Sequence, residues 1–182
     1  MTFQDLLVQE FSAYSTLSPS QLNLLERHFL LLQRWNDKLN LTRISSLLET
    51  VQLHYCESLF LGLKLPPGPV RVADIGSGAG FPGIPIAILR PDIDITLIES
   101  HRRKAVFLRE ASAGIPNINV FSGRAENCPD RFDWVVARAV GPEEVLALDL
   151  APNVALLVSS KDGVKLPWGQ NRSILFHVKH QT

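Results

Sequence analysis

One segment narrows the possible folds more than any other: a short apolar run that ends in an acid and passes directly into three closely spaced glycines. It consists of Val70-Arg71-Val72-Ala73-Asp74-Ile75-Gly76-Ser77-Gly78-Ala79-Gly80. Because glycine lacks a Cβ, Gly76, Gly78 and Gly80 permit a tight turn with positive φ, whose backbone amides can approach a ligand closely. The pattern favours a strand, a ligand-binding turn and a helix, in that order, over a turn that is only flexible.

The breaker cluster Pro66-Pro67-Gly68-Pro69 precedes this strand, and after it short apolar runs alternate with helical segments. That alternation is typical of βαβ units in a parallel sheet. The predicted elements are strands at 70–74, 94–99, 118–121, 134–138 and 154–158, and helices at 83–89, 102–113 and 143–150. Right-handed crossovers bring the carboxyl ends of such strands to one edge, where open α/β sheets bind ligands. The predicted fold class is therefore α/β and Rossmann-like.

The N-terminal third, residues 1–65, has helical periodicity. Apolar residues recur three and four positions apart at Leu22, Leu25, Phe29, Leu32 and Trp35. Ser18-Pro19-Ser20-Gln21 has the residues of a capping box and predicts the start of that helix, and a shorter helix is expected over 3–14. Because no linker follows, we interpret 1–65 as a helical cap on an α/β core of 66–182, so that residues 1–182 form a single domain.

Composition limits the classes of function. The 182 residues include 18 basic and 18 acidic side chains, so a nucleic acid has to be bound by local basic groups. Two such groups occur, His101-Arg102-Arg103-Lys104 and the set Lys161, Lys165, Arg172 and Lys179. No apolar run approaches the roughly 18 residues of a membrane span, and the N-terminus lacks the early basic cluster of a secretory signal. We expect a cytoplasmic protein that does not bind membranes.

The two cysteines, Cys56 and Cys128, lie far apart and outside any C-x-x-C arrangement. Neither a zinc site nor a disulfide is therefore expected. We expect a monomer that binds no metal.

A second acid is placed to bind an adenosine cofactor. Glu99 ends the predicted strand 94–99, about 20 residues beyond Gly76, near the offset at which such folds bind ribose hydroxyls. The segment 78–83 also satisfies the G-x-G-x-x-G pattern of dinucleotide-binding proteins. Counted from Gly76, however, the spacing is G-x-G-x-G, and with Asp74 before it this form resembles motif I of class I methyltransferases. Glu99 supports adenosine binding without choosing between these two cofactor classes.

Beyond the glycine loop, six ordered segments resemble one family, RsmG or GidB, the small-subunit rRNA guanine-N7 methyltransferases. They are Trp35-Asn36 with Asn40-Leu41-Thr42, His54 with Glu57-Ser58-Leu59, Asp74 to Pro85, Arg103-Lys104-Ala105-Val106-Phe107-Leu108, Gly123-Arg124-Ala125-Glu126, and Ala137-Arg138-Ala139. The resemblance implies a class I methyltransferase that uses S-adenosyl-L-methionine. Its implied acceptor is N7 of a guanine in 16S rRNA or in the small ribosomal subunit particle.

The loop, the strand-end acid and the resemblance together give a set of candidate site residues. The cofactor-binding candidates are Asp74, Gly76, Gly78, Gly80, Phe81, Glu99, Ala125, Glu126 and Arg138. The resemblance implies that Phe81 packs on the cofactor and that Glu126 accepts a hydrogen bond from the adenine amine. It also implies that Arg138 faces the reaction centre, which makes Arg138 the candidate catalytic residue.

The chain departs from the family pattern at two places. Leu53 stands where the family usually has an arginine before the histidine, and Glu57 stands where it usually has an aspartate. His54 itself is expected to be a packed or capping histidine. After Lys161-Asp162-Gly163 the chain is too short for the helix and hairpin that normally complete the sheet, so we predict a sheet shortened at its C-terminal edge.

Two other functions stay open at this point. The neutral net charge suits a methyltransferase whose acceptor is a small molecule or a protein, and the shortened edge suits a non-catalytic RNA-binding homologue. A nicotinamide-dependent dehydrogenase is disfavoured, because no segment resembles a hydride-acceptor pocket.

Overall fold

The computed structural model describes residues 1–43 and 46–178. Its helices are α1 (Phe3–Phe11), α2 (Pro19–Leu39), α3 (Leu47–Thr50), a π-helical segment (Val51–Cys56), α4 (Glu57–Lys64), α5 (Gly83–Leu89), α6 (Arg102–Ala111), a 3₁₀ turn (Ala125–Asn127) and α7 (Pro142–Ala147). Its strands are β1 (Val70–Ile75), β2 (Ile93–Glu99), β3 (Ile118–Ser122), β4 (Trp134–Arg138), β5 (Asn153–Ser159), β6 (Val164–Lys165) and β7 (Arg172–Val178).

The strands form one sheet in the order β3-β2-β1-β4-β5-β7-β6. Strands β1 to β5 are parallel to their neighbours, whereas β7 is antiparallel to both β5 and β6. The five predicted strands and three predicted crossover helices are thus confirmed, with differences only at their ends. The predicted Rossmann-like α/β class is confirmed as well.

The C-terminal part of the chain is only partly as the sequence predicts, because the sheet has seven strands and lacks only the helix before its last hairpin in the described residues. Strand β6 has two residues and follows β5 after a brief connection, and no helix lies between them in the described residues. The expectation that the hairpin itself would be missing was wrong, because β6 and β7 pair in an antiparallel hairpin. Positive φ angles at Gly163, Gly169 and Asn171 allow this turn to close within few residues.

Helix α2 begins at the capping box that the sequence predicts. The Ser18 side chain accepts a hydrogen bond from the Gln21 backbone amide at 3.2 Å, and the Gln21 side chain accepts one from the Ser18 amide at 2.9 Å. Gln21 also donates to the carbonyl of Ile88 at 3.0 Å, which satisfies a free carbonyl at the end of α5. Gln21, a member of the α2 capping box, therefore also links the helical cap to the α/β core.

Two apolar clusters cover the two faces of the sheet. Alternate strand residues point to opposite faces, so Val72 joins the first cluster and its neighbour Ala73 joins the second. The first cluster also contains buried cap residues such as Leu25 and Tyr55. This shared cluster supports our proposal that the cap and the core form one domain.

Other features of the described chain are as follows. No described helix is long and apolar enough to cross a membrane. Cys56 and Cys128 are buried free thiols. Residues 1–43 and 46–178 contain no group of three or more His, Cys, Asp or Glu side chains arranged to hold a metal ion.

Candidate functional site

The glycine loop folds back over the end of β2. The amides of Gly76 and Ser77 donate to the carbonyl of Ile98 at 2.9 and 3.2 Å. Gly80 has a φ of 88°, and a Cβ there would lie 2.5 Å from Cδ1 of Ile84. Only glycine fits this position, because a side chain would be strained by the backbone conformation and would collide with α5.

Asp74 lies beneath this loop. Its side chain is fully buried, and Oδ2 accepts a hydrogen bond from the amide of Gly83 at 2.9 Å, at the first residue of α5. Burial raises the pKa of Asp74 to about 7. Asp74 thereby fixes the position where α5 begins, and its side chain lines neither of the two cavities described below. Direct contact of Asp74 with a cofactor stays a prediction.

Glu99 braces the loop from the side of β2. Its Oε2 accepts from the amide of Gly78 at 2.9 Å, and its Oε1 accepts from the amide of His101 at 2.8 Å. Each carboxylate oxygen keeps a further lone pair, so a ribose hydroxyl can still donate to it. The predicted ribose contact is chemically possible and stays a prediction.

The helical cap supports the loop from behind, through a contact between residues 51 positions apart that the sequence pattern does not predict. Buried His28 lies with Nε2 2.9 Å from the carbonyl oxygen of Ala79 and Nδ1 2.9 Å from the hydroxyl of Tyr55. A carbonyl can only accept, so the proton is on Nε2, and Nδ1 accepts from the tyrosine hydroxyl. Burial lowers the pKa of His28 to about 4, which keeps the ring neutral.

Two adjoining cavities lie at the carboxyl edge of the parallel strands. The first, of about 250 Å³, is lined among others by Gly76, Ser100, Arg124, Ala125, Glu126 and Val140. The second, of about 330 Å³, is lined among others by Thr42, His54, Gly76, Phe81, Lys104 and Arg138. They meet at Gly76 and Val140, which line both. A Cβ on Gly76 would lie 3.3 Å from the Val140 side chain, so glycine keeps the passage between them open.

The structure thus brings most of the candidate residues together. Gly76, Ala125 and Glu126 line the first cavity, and Gly76, Gly78, Phe81 and Arg138 line the second. Asp74, Gly80 and Glu99 line neither cavity and shape the loop.

Arg138, at the end of β4, has a donor without a partner. Its Nη1 is buried and makes no hydrogen bond within the described residues. Burial lowers the pKa of Arg138 to about 10, and the charge of Glu57 opposes this change. Because Arg138 lines the second cavity, a ligand there that carries an acceptor can pair with this donor.

Next to Arg138 lies a buried ion pair. Both carboxylate oxygens of Glu57 accept hydrogen bonds from Arg172, whose guanidinium donates through Nε and Nη2. Glu57 has no exposed side-chain surface, and burial raises its pKa while Arg172 acts against that rise. The pair connects α4 of the cap to β7, and no local pattern in the sequence predicts it because its two residues lie 115 positions apart.

His54 was expected to be a packed or capping histidine, and the structure also places it in the lining of the second cavity. It lies in the π-helical segment, a conformation often found at functional sites. It packs as expected, with its ring stacked on Phe81 at a centroid distance of 5.1 Å, but it also lines the second cavity. Nε2 lies 3.1 Å from the Thr42 hydroxyl, and Nδ1 is buried without a partner in the described structure. Burial lowers the pKa of His54 to about 3, and the nearby charge of Arg138 adds to the effect. The sequence signal for this role was its spacing, because His54 lies three residues before Glu57 and residues three apart share one face of a helix.

The two basic groups lie at different distances from these cavities. Lys104 lines the second cavity, whereas His101, Arg102 and Arg103 are exposed. Lys161, Lys165 and Arg172 line a third cavity of about 420 Å³ beside the β6–β7 hairpin. Lys179 lies outside the described residues.

In sequence, most of the chain is similar to one family of known proteins. Residues 21–155 match the family model described as GidB, rRNA small subunit methyltransferase G. Ribosomal RNA small subunit methyltransferase G of Chromobacterium violaceum is 40% identical over 127 residues, which cover 68% of this chain and 60% of that protein. The protein of the same name from Moorella thermoacetica is 38% identical over 159 residues, which cover 81% of this chain and 66% of that protein. The chain thus spans less than two thirds of the length of these curated relatives.

Among solved structures, a SAM-dependent methyltransferase from Aquifex aeolicus has a TM-score of 0.50 and 15% identity, covering 76% of this chain and 75% of that one. At that identity the likeness concerns the fold alone. The family match, over residues 21–155, includes the glycine loop, every residue that lines the first and second cavities, and most of the cap. The chain belongs to the GidB family, rRNA small subunit methyltransferase G.

Proposed function

We propose that this chain transfers a methyl group from S-adenosyl-L-methionine to N7 of a guanine in 16S rRNA. The observation that carries the proposal is the pair of cavities that meet at Gly76, one beside Ala125 and Glu126 and the other beside the unpaired donor of Arg138. The cavity beside Ala125 and Glu126 suits the adenosine part of a cofactor, and the cavity beside Arg138 suits an acceptor base. The names of the relatives, which are ribosomal RNA small subunit methyltransferases, support the choice of acceptor.

The first cavity has the groups that an adenosine moiety needs. Glu126, which lines this cavity, would accept from the adenine amine. Glu99 lies outside the cavity lining, next to Ser100, and would accept from ribose hydroxyls that reach the glycine loop. Gly76 would lie against the part of the cofactor that passes between the two cavities, since a larger residue there would meet Val140. Phe81 would pack on the methionine end, because it lines the second cavity. These residues fit S-adenosyl-L-methionine.

S-adenosyl-L-methionine supplies a methyl group bound to a positively charged sulfur. Guanine N7 would accept this methyl group as the carbon–sulfur bond breaks and the sulfur keeps the bonding electrons. Because the N7 lone pair is free, no proton would have to be removed first. The chain therefore needs no general base, and its contribution is alignment of the two reactants. We infer that Arg138 donates from Nη1 to guanine O6 and leaves N7 uncovered.

The RNA would be bound by local basic groups, since the net charge is zero. Lys104 lines the acceptor cavity, and Lys161 and Lys165 line the cavity beside the β6–β7 hairpin at the same edge of the sheet. These positions suit phosphates on either side of a target nucleotide. We propose that the acceptor is 16S rRNA, free or in the small-subunit particle, and that the protein acts as a cytoplasmic monomer.

The test is transfer of a labelled methyl group to small-subunit particles that lack the modification, followed by chain cleavage at 7-methylguanosine. Label at one guanine is the expected result. Cofactor binding without transfer to the particle would contradict the proposed acceptor and indicate a small molecule or protein instead. RNA binding without cofactor binding would indicate a non-catalytic homologue.

A further inference from the structure

We propose that His54 and Arg138 select guanine together, with His54 accepting from N1–H and Arg138 donating to O6, so that the second cavity binds the Watson–Crick edge of the base. This inference rests on the proposed function, because it concerns the acceptor of that reaction. It assigns His54 a role in specificity in addition to its packing role.

Two unpaired polar atoms carry the inference. In the described residues, three buried side-chain nitrogen or oxygen atoms lack a hydrogen-bond partner: His54 Nδ1, Arg138 Nη1 and Asp74 Oδ1. Both nitrogens belong to residues that line the second cavity, whereas Asp74 lies beneath the glycine loop. Buried polar atoms are rarely left unpaired, since the loss of hydration is then uncompensated. A ligand in this cavity that pairs with both nitrogens removes that cost.

The chemistry of the two atoms is complementary. A guanidinium is a donor only, so Arg138 requires an acceptor on the ligand. Burial and the charges of Arg138 and Arg172 lower the pKa of His54 to about 3, while a hydrogen bond to the Arg43 backbone opposes this change. The ring is therefore neutral near pH 7, and one of its nitrogens carries no proton. With the proton on Nε2, that atom donates to the Thr42 hydroxyl 3.1 Å away, and Nδ1 becomes the acceptor. The cavity then presents a donor and an acceptor.

Guanine matches this pair and adenine does not. O6 of guanine accepts and the adjacent N1–H donates, whereas adenine has a donor amine at C6 and an acceptor at N1. O6 also lies next to N7 on the other side, so contacts at O6 and N1 leave N7 free. With adenine, the Arg138 donor would face the donor amine at C6, and the His54 acceptor would face the acceptor N1. Both protein atoms would stay unpaired, and a site built from buried hydrogen-bonding groups strongly rejects such a ligand.

The structure holds the His54 ring in a fixed orientation. Its plane lies 23° from that of Phe81, with the centroids 5.1 Å apart, and Phe81 is itself in edge contact with Tyr55 and His28. A ring fixed in this way loses little entropy when a base binds. Phenylalanine at position 54 would keep the stacking and remove the acceptor, which makes His54→Phe the informative variant.

The experiment compares methyl transfer to particles reconstituted with guanine, inosine or 1-methylguanine at the target position. For the wild type we expect inosine, which keeps O6 and N1–H, to react within about threefold of guanine, and 1-methylguanine to react about 100-fold more slowly. For His54→Phe we expect kcat/KM on guanine to fall about 30-fold, and the ratio of guanine to 1-methylguanine to fall below about five. The Kd for S-adenosyl-L-methionine should stay within about twofold of the wild type. His177→Phe, at an exposed histidine on β7, is the control and should change none of these values.

Unchanged activity of His54→Phe on guanine, or an equal loss on all three bases, would overturn the inference. Failure of the wild type to methylate guanine would instead refute the proposed function. A readout that needs no activity is the ¹⁵N NMR spectrum of the His54 ring in the wild-type protein. We expect a neutral ring with the proton on Nε2, and a proton on Nδ1 would refute the assignment of Nδ1 as the acceptor.

Discussion

Replacement of Arg172 by methionine removes a guanidinium and leaves Glu57 buried without its partner. Glu57 has no exposed side-chain surface, and the Arg172 side chain is 19% exposed. Breaking a buried ion pair from one side costs about 3–5 kcal/mol, and the partial exposure of Arg172 favours the lower end, about 3 kcal/mol. In a chain of this length that cost lowers the melting temperature by about 6–12 °C.

The free-energy cost of Arg172→Met depends on pH, because Glu57 becomes neutral when it takes up a proton and then no longer requires a charged partner. Burial raises the pKa of Glu57 above its ordinary value of 4.5, and Arg172 limits that rise. Without Arg172 the folded-state pKa of Glu57 rises further. The contribution of Glu57 protonation to folding stability is complete below pH 4.5, the ordinary pKa, and is lost as the pH rises through the folded-state pKa. Arg172→Met should therefore destabilise the fold less at pH 5 than at pH 8.

The assay is urea unfolding followed by circular dichroism for the wild type, Glu57→Gln, Arg172→Met and the double variant. We expect the double variant to be less destabilised than the sum of the single variants, with a coupling free energy of about 2 kcal/mol. Arg71→Met is the control, because its ion pair with Asp130 is exposed, and it should cost less than about 0.5 kcal/mol. Additive effects, or a cost below about 1 kcal/mol for Arg172→Met, would refute the reasoning.

Four further results are expected. His28 has a folded-state pKa of about 4 and an ordinary value of 6.5, so the unfolded state binds the proton first as the pH falls, and stability is lost between these values. Relative to His28→Gln, the wild type should lose about 2 kcal/mol of unfolding free energy from pH 8 to pH 5, and a constant difference would contradict this. Arg138→Ala should lower the methylation rate about 100-fold with little change in cofactor Kd, whereas equal losses would reassign Arg138 to cofactor binding. Gly83→Ala would place a Cβ 2.4 Å from the Leu97 side chain and 2.6 Å from Asp74 Oδ2, so thermal unfolding should show a loss of about 1–3 kcal/mol. Lys161→Gln with Lys165→Gln should reduce the salt dependence of RNA affinity by about one power of salt concentration per lysine, with cofactor Kd unchanged, and an unaltered slope would exclude them from the RNA contact.

The order and type of the core elements could be predicted because their signals are local. Strand β4 was predicted with the bounds that the structure has, and the capping box at Ser18 was predicted with its partner Gln21. Helix ends were less accurate, since α7 ends at Ala147, before the predicted residue 150. Asp149 adopts a positive φ there, which no periodicity in the sequence reveals.

What the sequence determined by itself is the part of the protein that depends on neighbours along the chain: the glycine loop, the alternating strands and helices, and the cap helices. Tertiary structure alone decided how distant segments complete the site. His28 reaches the carbonyl of Ala79, and Glu57 pairs with Arg172 across 115 positions of sequence. The physical reason is that burial and hydrogen-bond partnership belong to the folded chain, because each requires groups that only the fold brings into contact.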